Sequence, residues 1–331
     1  MKAVIPVAGV GTKLRPHTHT QPKPLIPVAG KPILGHIIDN LIEAGIKKQV
    51  FIIGYLREKI QEYVETAYEG KIEMEFVVQE PRKGLAHALW TCKDVLANTD
   101  DILINLGDTI FDKDTPKIMD QEGSILAVQQ VEDPREFGIA ILGGDGFVKK
   151  LSEKPDIPTS NLALVGMYKI SQVKLLLEVL DEMMKDGVQE DEEYALTDAL
   201  MDMVQRGHKF KTHTVENWFD CGRMQTLLLA NKILLERSGS HMPGKYPDCV
   251  IIPPVFIPDS CEISQSIIGP YVAIAEHAHI DNSIISNSIL GAYSRLDSII
   301  LRKSVIGNDT SLRQKSLSIN IGDNTEIDFE Q

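Results

Sequence analysis

The chain has 331 residues, with 34 basic and 47 acidic side chains and a formal net charge of −13. This charge disfavours broad binding to nucleic acids or anionic membranes, although cations gathered at one point can still bind a small anion. The four cysteines form no Cys-x-x-Cys unit, and the sequence contains neither an N-terminal signal nor a run of about 18 apolar residues. We expect a cytoplasmic protein with reduced thiols and, from its length, about two domains.

A glycine-rich turn follows the first predicted strand, an apolar run at the start of the chain. Gly9 and Gly11 let backbone N–H groups approach phosphate oxygens, and the cations Lys13, Arg15 and Lys23 follow closely. The turn is not a Walker loop, which needs Lys and then Ser or Thr directly after its last glycine. It is not a dinucleotide fingerprint either, because the third Gly or Ala of that motif is missing. The segment therefore predicts a site for a nucleoside triphosphate.

Strand-like apolar runs alternate with helical patterns up to about residue 237. Strands are predicted at residues 50–53, 74–79, 102–106 and 125–129, and helices at 33–44, 58–68, 85–96 and 224–237. The alternation predicts an α/β domain over residues 1–237, with a Rossmann-like, mostly parallel sheet covered on both faces. Asp108 ends one apolar run, where ligands bind in such sheets, and is a candidate metal ligand. Taken alone, a strand-end Asp is more often structural.

The pattern changes after residues 238–248, a small and polar stretch that we predict to be a linker. Over residues 249–331, aliphatic residues recur every five or six positions at 257, 263, 268, 274 and 280, and a second run continues the rhythm at 290, 296, 301, 306 and 312. Glycine follows the aliphatic residue in four repeats, at Ile268, Leu290, Ile306 and Ile321. This hexapeptide repeat predicts a left-handed parallel β-helix of about four or five coils.

Two roles are open for the predicted β-helix. His277 or His279 could act as the general base of an acyltransferase, but no acyltransferase signature accompanies either residue, so an exposed coil histidine is the better interpretation. Stacked coils present flat faces to a neighbour. Contacts within a homo-oligomer, or effector binding, are therefore favoured.

The first loop resembles that of the sugar-1-phosphate nucleotidyltransferases, which reads roughly Gly-x-Gly-Thr-Arg-Leu-x-Pro and then Pro-Lys-Pro-Leu or Pro-Lys-Pro-Met. Other segments that resemble this family are Val77 to Ala88, Pro134 to Gly138, Glu153 to Pro155, Asn161 to Tyr168, Glu193 to Asp198 and Trp218 to Gly222. Together they are most similar to glucose-1-phosphate thymidylyltransferases with a C-terminal β-helix. One departure is Lys13, where most members carry Arg; it keeps the charge but loses the planar fork.

The resemblance implies a set of site residues. The catalytic cations would be Lys13, Arg15, Lys23 and Lys154. The nucleotide would meet Ala8, Gly9, Gly11, Thr12, Gln79, Pro81 and Gly84. The sugar would meet Phe137, Gly138, Glu153, Leu164 and Val165. Asp108 and Asp220 would hold Mg²⁺, because two carboxylates and a triphosphate supply the hard oxygens it prefers.

Ordinary structural roles would also explain several of these segments. The segment around Gln79 also fits a strand that ends in a proline turn, and the segment around Glu153 also fits an exposed charged turn. An isolated Asp220 would more often cap a helix. Thr197 would lie near the sugar, but helix capping by Thr197 or Asp198 explains these residues almost as well.

The implied reaction transfers a nucleotidyl group from dTTP or UTP to glucose 1-phosphate, giving a nucleotide sugar and pyrophosphate. A GTP-dependent mannose-1-phosphate guanylyltransferase stays open, since a β-helix tail is also common among those enzymes. A non-catalytic regulatory homologue that binds nucleotide sugar also stays open, because Lys13 departs from the family's usual Arg. A third alternative is a scaffold that assembles through its β-helix. The expected partners are a nucleoside triphosphate and a sugar 1-phosphate, without nucleic acid or membrane.

Overall fold

The protein is described from a computed structural model, which covers residues 1–111, 114–187, 193–216, 218–242, 244 and 246–314. Internal contacts divide the chain into two units, Met1–Ala230 and Asn231–Gln331. None of the helices in the described ranges has the length and apolar character needed to cross a membrane. All four cysteines lie in these ranges, and each is a free thiol.

Strands and helices alternate along the first part of the chain. The strands are β1 (Lys2–Pro6), β2 (Pro27–Val28), β3 (Lys31–Pro32), β4 (Lys48–Ile53), β5 (Glu73–Val78), β6 (Asp101–Asn105), β7 (Thr109–Phe111), β8 (Ser124–Gln130), β9 (Ile139–Leu142), β10 (Val148–Ser152), β11 (Leu162–Ser171), β12 (Phe210–Thr214) and β13 (Trp218–Asp220). The helices are α1 (Ile33–Glu43), α2 (Arg57–Tyr68), α3 (Leu85–Thr91), α4 (Lys93–Leu96), α5 (Asp114–Met119), α6 (Val173–Asp186), α7 (Leu196–Gln205) and α8 (Met224–Ser238).

The central sheet combines a parallel half with an antiparallel half. In the parallel half the neighbours run in the order β6, β1, β4 and β5. In the other half β11 runs antiparallel to β6, β8 and β9, while β12 pairs in parallel with β8. The predicted Rossmann-like α/β fold is confirmed, with a sheet that is mixed where a mostly parallel one was predicted. Because parallel strands share one carboxyl edge, the loops after β1, β5 and β6 leave the sheet together, where ligands bind in this architecture.

Burial explains why β1 forms at the centre of this sheet. Ala3, Val4 and Ile5 have no exposed surface, because parallel strands are covered on both faces. The continuous apolar run in the sequence thus corresponds to a strand that packs on both sides. It also fixes the start of the glycine turn that follows.

One helix predicted over residues 85–96 is two helices, α3 and α4, which meet at Cys92. The Thr91 hydroxyl donates to the carbonyl oxygen of Ala88 at 2.6 Å. The Cys92 amide donates to Leu89, three residues back, rather than four residues back as in a continuous α-helix. A side chain that competes for a helix carbonyl in this way accounts for the break.

Short strands stack in three parallel sheets after α8, as a left-handed β-helix requires. The first sheet holds β14 (Val250–Ile251), β17 (Ile267–Ile268), β20 (Ile284–Ser286) and β23 (Ile300–Arg302). The second holds β15 (Val255–Phe256), β18 (Val272–Ile274), β21 (Ile289–Leu290) and β24 (Val305–Ile306). The third holds β16 (Glu262–Ser264), β19 (His279–Asp281), β22 (Arg295–Asp297) and β25 (Ser311–Arg313). The predicted β-helix is confirmed.

The repeated aliphatic residues fill the β-helix, as predicted. Ile257, Ile268, Ile280 and Leu290 have no exposed surface. Buried serines add a contact that the aliphatic pattern did not predict: the Ser266 hydroxyl accepts the Ser283 amide at 3.0 Å, one coil later. The repeat predicted at Ile321 lies outside the described residues.

The segment predicted to be a linker follows α8, which ends at Ser238. His241, within that segment, forms a parallel bridge to Phe256 and stacks on its ring at a centroid distance of 5.0 Å. Residues 243 and 245 of the segment lie outside the described residues.

The two histidines considered as general bases are exposed: His277 stacks on Tyr293, and His279 Nδ1 lies 3.0 Å from Glu262 Oε2.

Leu290→Ala is expected to destabilise the β-helix by about 2–5 kcal/mol, since it empties space that the surrounding coils cannot fill. Leu290 is fully buried, with Ile274 and Ile306 as its register partners on the adjacent coils. Urea denaturation monitored by circular dichroism measures the effect. Ile300→Ala is the matched control, because Ile300 is 73% exposed, and we expect it to change stability by at most about 0.5 kcal/mol. Equal effects of the two variants would contradict this packing.

Candidate active site

Gly11 allows the loop after β1 to pack against Lys23. Its φ of 69° is left-handed, and a Cβ there would lie 2.9 Å from Lys23 Cβ. A Cβ on Gly9 would have no described atom within 4 Å, so this side of the loop is open. Thr12 begins a short 3₁₀ helix, Thr12–Leu14, and Lys23 begins another, Lys23–Leu25.

A cavity of about 460 Å³ opens beside this loop, and we call it the glycine-loop cavity. It is lined by Pro6, Val7, Gly9, Gly11, Thr12, Lys13, Lys23, Pro24, Leu85, Leu106, Gly107, Asp108, Glu193 and Gly222. Six residues predicted for the nucleotide, the metal or catalysis are therefore together. Seven others are outside this lining, and of these Ala8 is buried, while Arg15 is exposed after the first 3₁₀ helix.

Strand pairing places the two predicted metal ligands together. β13 runs antiparallel to β7, so that Asp220 pairs with Thr109, the residue after Asp108. Lys23 Nζ donates to Asp108 Oδ2 at 2.5 Å. Asp220 Oδ1 accepts the amide of Gly222 at 2.7 Å. Asp220 thus ends a strand and does not cap a helix.

The two carboxylates differ in their protonation tendency. Burial raises the pKa of Asp108, but the Lys23 ammonium and the Thr109 hydroxyl outweigh it, so the pKa lies below its usual value. Burial, and then the charge of Asp108, raise the pKa of Asp220. A cation beside both would relieve their repulsion, and hard oxygens suit a divalent metal. No group of three or more His, Cys, Asp or Glu in the described part of the chain is arranged to hold a metal.

Gln79 and Gly84, the predicted base-recognition pair, are in contact. Gln79 is buried, and its Nε2 donates to the Gly84 carbonyl at 2.9 Å. Gly84 has a φ of 97°, and its Cβ position lies 2.6 Å from the carbonyl oxygen of Tyr194. Pro81, in the same segment, is exposed.

Gly84→Ala is expected to lower the free energy of unfolding by about 1–3 kcal/mol, because the new methyl group would collide with backbone atoms that cannot move aside cheaply. The positive φ at Gly84 adds strain for any residue with a Cβ. Gly144→Ala is the control, since Gly144 has no described atom within 4 Å of its Cβ position. Thermal unfolding of both variants checks the prediction. A Gly84→Ala protein as stable as the control would contradict it.

The predicted sugar residues form a second cluster. A Cβ on Gly138 would lie 2.9 Å from Thr197 Oγ1 and 3.1 Å from both Glu153 Oε2 and Leu164 Cδ1. Lys154 Nζ lies 3.7 Å from Glu153 Oε1. Val165 follows Leu164 in β11 and is buried. The carbonyl oxygen of Phe137 accepts a hydrogen bond from the Lys154 amide.

Thr197 belongs to this cluster and is not a helix cap. Its hydroxyl donates to Glu153 Oε2 at 2.5 Å. The residue that precedes α7 is Ala195, and no described side chain caps that end. Asp198 is nearby: burial, and then the charge of Glu153, raise its pKa. Thr197, in the first turn of α7, therefore points toward Glu153.

A second cavity, of about 380 Å³, reaches from Phe137 to Asp220. It is lined by Asp133, Glu136, Phe137, Trp218, Phe219, Asp220, Arg223, Thr226 and Leu229. The rings of Phe137 and Trp218 are 5.7 Å apart between centroids. Glu136 and Arg223 were not predicted as site residues. The one sequence signal for Arg223 is a cation placed three residues after Asp220.

The chain is similar to several known proteins. The family model described as Nucleotidyl transferase matches residues 2–237. The low-salt glycan biosynthesis nucleotidyltransferase of Haloferax volcanii is 32% identical over 367 aligned positions, which cover 99% of each chain. A glucose-1-phosphate thymidylyltransferase of Streptomyces antibioticus is 26% identical, with all of both chains covered.

Among solved structures, a UDP-glucose pyrophosphorylase complexed with UDP-glucose superposes with a TM-score of 0.62 and 25% identity. The superposition covers 71% of this chain and 98% of that one. The family match spans the glycine loop and both carboxylates. The chain therefore belongs to the nucleotidyl transferase family.

Proposed function

We propose that this protein transfers a nucleotidyl group from a nucleoside triphosphate to a sugar 1-phosphate, releasing pyrophosphate. The observation that carries the proposal is the β13–β7 pairing, which brings Asp220 beside Asp108 and Lys23 at the glycine loop. dTTP or UTP and glucose 1-phosphate are the favoured substrates. Two of the similar proteins, a glucose-1-phosphate thymidylyltransferase and a UDP-glucose pyrophosphorylase, support this choice.

The sugar phosphate is already an anion, so the nucleophile needs no general base. Its oxygen attacks the α-phosphorus, and pyrophosphate leaves from the opposite side. Catalysis then depends on holding two anions in line, which can supply about 7–11 kcal/mol. Lys13, Arg15 and Lys23 would bind the triphosphate, and Lys154 the sugar phosphate. Gln79 and Gly84 would contact the base.

Nucleotidyl transferases generally use a divalent metal, and we assign Mg²⁺ to Asp108 and Asp220. When bound, it would neutralise charge on the triphosphate and on the leaving pyrophosphate. Lys23 donates to Asp108 and would keep that carboxylate ionised. Glu153, oriented by Thr197, would accept hydrogen bonds from sugar hydroxyls.

The rest of the proposal concerns the whole protein. We place the catalytic domain at residues 1–237, the linker at 238–248 and the β-helix at 249–331, with the protein acting in the cytoplasm. The β-helix would form a contact within a homo-oligomer, because its stacked coils present flat faces.

The test measures pyrophosphate release from the purified protein with Mg²⁺, five nucleoside triphosphates and a panel of hexose, hexosamine and mannose 1-phosphates. We expect release with dTTP or UTP and glucose 1-phosphate. Release confined to GTP and mannose 1-phosphate would replace the substrates. If no combination released pyrophosphate and nucleotide sugars still bound, the proposed enzymatic activity would be contradicted and a regulatory homologue identified.

A further inference from the structure

Glu136 joins Lys13, which lines the glycine-loop cavity, to Arg223, which lines the second cavity together with Glu136. Its Oε2 accepts a hydrogen bond from Lys13 Nζ at 3.2 Å. Arg223 Nη2 donates to both carboxylate oxygens of the same residue. Lys13 lies in the loop after β1, Glu136 precedes β9 and Arg223 follows β13, so three loops meet at one carboxylate.

Arg223 is close to the reacting groups by its position in the chain. It follows Gly222, which lines the glycine-loop cavity and donates its amide to Asp220. Glu136 directly precedes Phe137 of the sugar segment. The cluster thus lies between the triphosphate cations, the metal carboxylates and the sugar residues.

Stability alone does not explain this convergence. The three side chains are 63%, 55% and 48% exposed for Lys13, Glu136 and Arg223. Exposed ion pairs of this kind contribute little to the free energy of folding, because water screens the charges and fixing two long side chains costs entropy. Holding a flexible ammonium and a guanidinium side by side has a clearer use, because it lowers the entropy that both lose on binding an anion.

Both cations keep donors for a ligand while Glu136 holds them. An ammonium has three N–H donors and a guanidinium has five. Both hydrogen bonds from Arg223 to Glu136 are donated by Nη2, which leaves the N–H groups of Nη1 and Nε for a ligand. Hydrogen bonds from Arg223 and Lys13 lower the pKa of Glu136, so the carboxylate that holds them stays ionised at neutral pH.

We propose that Glu136 is a positioning residue that orients Lys13 and Arg223 as a cation pair toward the phosphates of the nucleoside triphosphate. Arg223 supplies there the guanidinium donors at Nη1 and Nε, which its contacts with Glu136 do not use. The inference rests on the proposed nucleotidyl transfer and adds a phosphate-binding residue to it.

The test compares Arg223→Gln with Arg135→Gln in the pyrophosphate-release assay. Arg135 is a matched control, because it pairs with Asp133 in the same loop, with 2.6 Å between Nη2 and Oδ2, and is 64% exposed. Loss of a hydrogen bond to a charged group should raise the KM for the triphosphate by about tenfold or more in Arg223→Gln. The KM for the sugar phosphate should stay within about twofold, and Arg135→Gln should leave both constants near wild type.

Glu136→Gln tests the positioning role, and we expect it to raise the triphosphate KM as well. Arg223→Lys keeps the positive charge, so its triphosphate KM should lie between those of wild type and Arg223→Gln. Calorimetric titration with Mg²⁺ and inorganic pyrophosphate gives a second readout that needs no turnover. Equal constants for Arg223→Gln and Arg135→Gln would overturn the inference, and an unchanged Glu136→Gln would overturn the positioning role. A wild-type protein without pyrophosphate release would contradict the proposed function instead, while pyrophosphate affinity would still test Arg223.

Discussion

Asp108→Asn is expected to lower kcat for pyrophosphate release by about 10²- to 10³-fold. Asparagine keeps the size of the side chain but removes the charge that would hold the metal and that Lys23 now contacts. Asp220 alone would then face the metal, and burial would still raise its pKa. The measurement is kcat at saturating substrates over a range of Mg²⁺ concentrations.

Asp101→Asn is the matched control for this loss. Asp101 begins β6, whereas Asp108 follows its carboxyl end, so both variants change one carboxylate on the same strand-loop unit. We expect Asp101→Asn to keep kcat within about twofold, because ligands bind at the opposite edge. Near-normal turnover of Asp108→Asn would remove the metal assignment.

The sequence predicted those parts of the site that are local in the chain. Gly9 and Gly11 follow an apolar run, and the structure places them at the carboxyl end of β1. The same logic located Asp108 after β6. In each case the signal is a change from buried strand to polar turn within a few residues, which needs no tertiary information.

Contacts between distant segments were not predictable in the same way. The neighbours of Glu136 are Lys13 and Arg223, which are 123 and 87 residues away. Each of the three residues alone is an ordinary exposed charge. Only the meeting of three loops shows that they share one carboxylate, and periodicity carries no information about such a meeting.

Thr197 shows how the structure separates two interpretations that the sequence left open. A hydroxyl at a helix start serves equally well as a cap or as a partner of a distant side chain. In the structure the Thr197 hydroxyl donates a hydrogen bond to Glu153, 44 residues away. In the proposed sugar site the carboxylate would then be oriented before the ligand arrives, which lowers the entropic cost of binding.

Glu153→Gln is therefore expected to raise the KM for the sugar 1-phosphate by about 10- to 150-fold, since a hydrogen bond to a charged group is worth about 1.5–3 kcal/mol. The triphosphate KM should change little, because Glu153 lies with Gly138, Leu164 and Thr197 and outside the lining of the glycine-loop cavity. Steady-state kinetics with each substrate varied in turn measure both constants.

Variants of Thr197 separate orientation from contact in this prediction. Thr197→Val removes the hydroxyl that Glu153 accepts and keeps the shape, so it should raise the sugar-phosphate KM by less than Glu153→Gln does. Thr197→Ser keeps the hydroxyl and should stay near wild type. If Thr197→Val and Thr197→Ser gave the same constants, the hydrogen bond to Glu153 would have no part in sugar binding. If Glu153→Gln raised the triphosphate KM instead, Glu153 would belong to the nucleotide subsite.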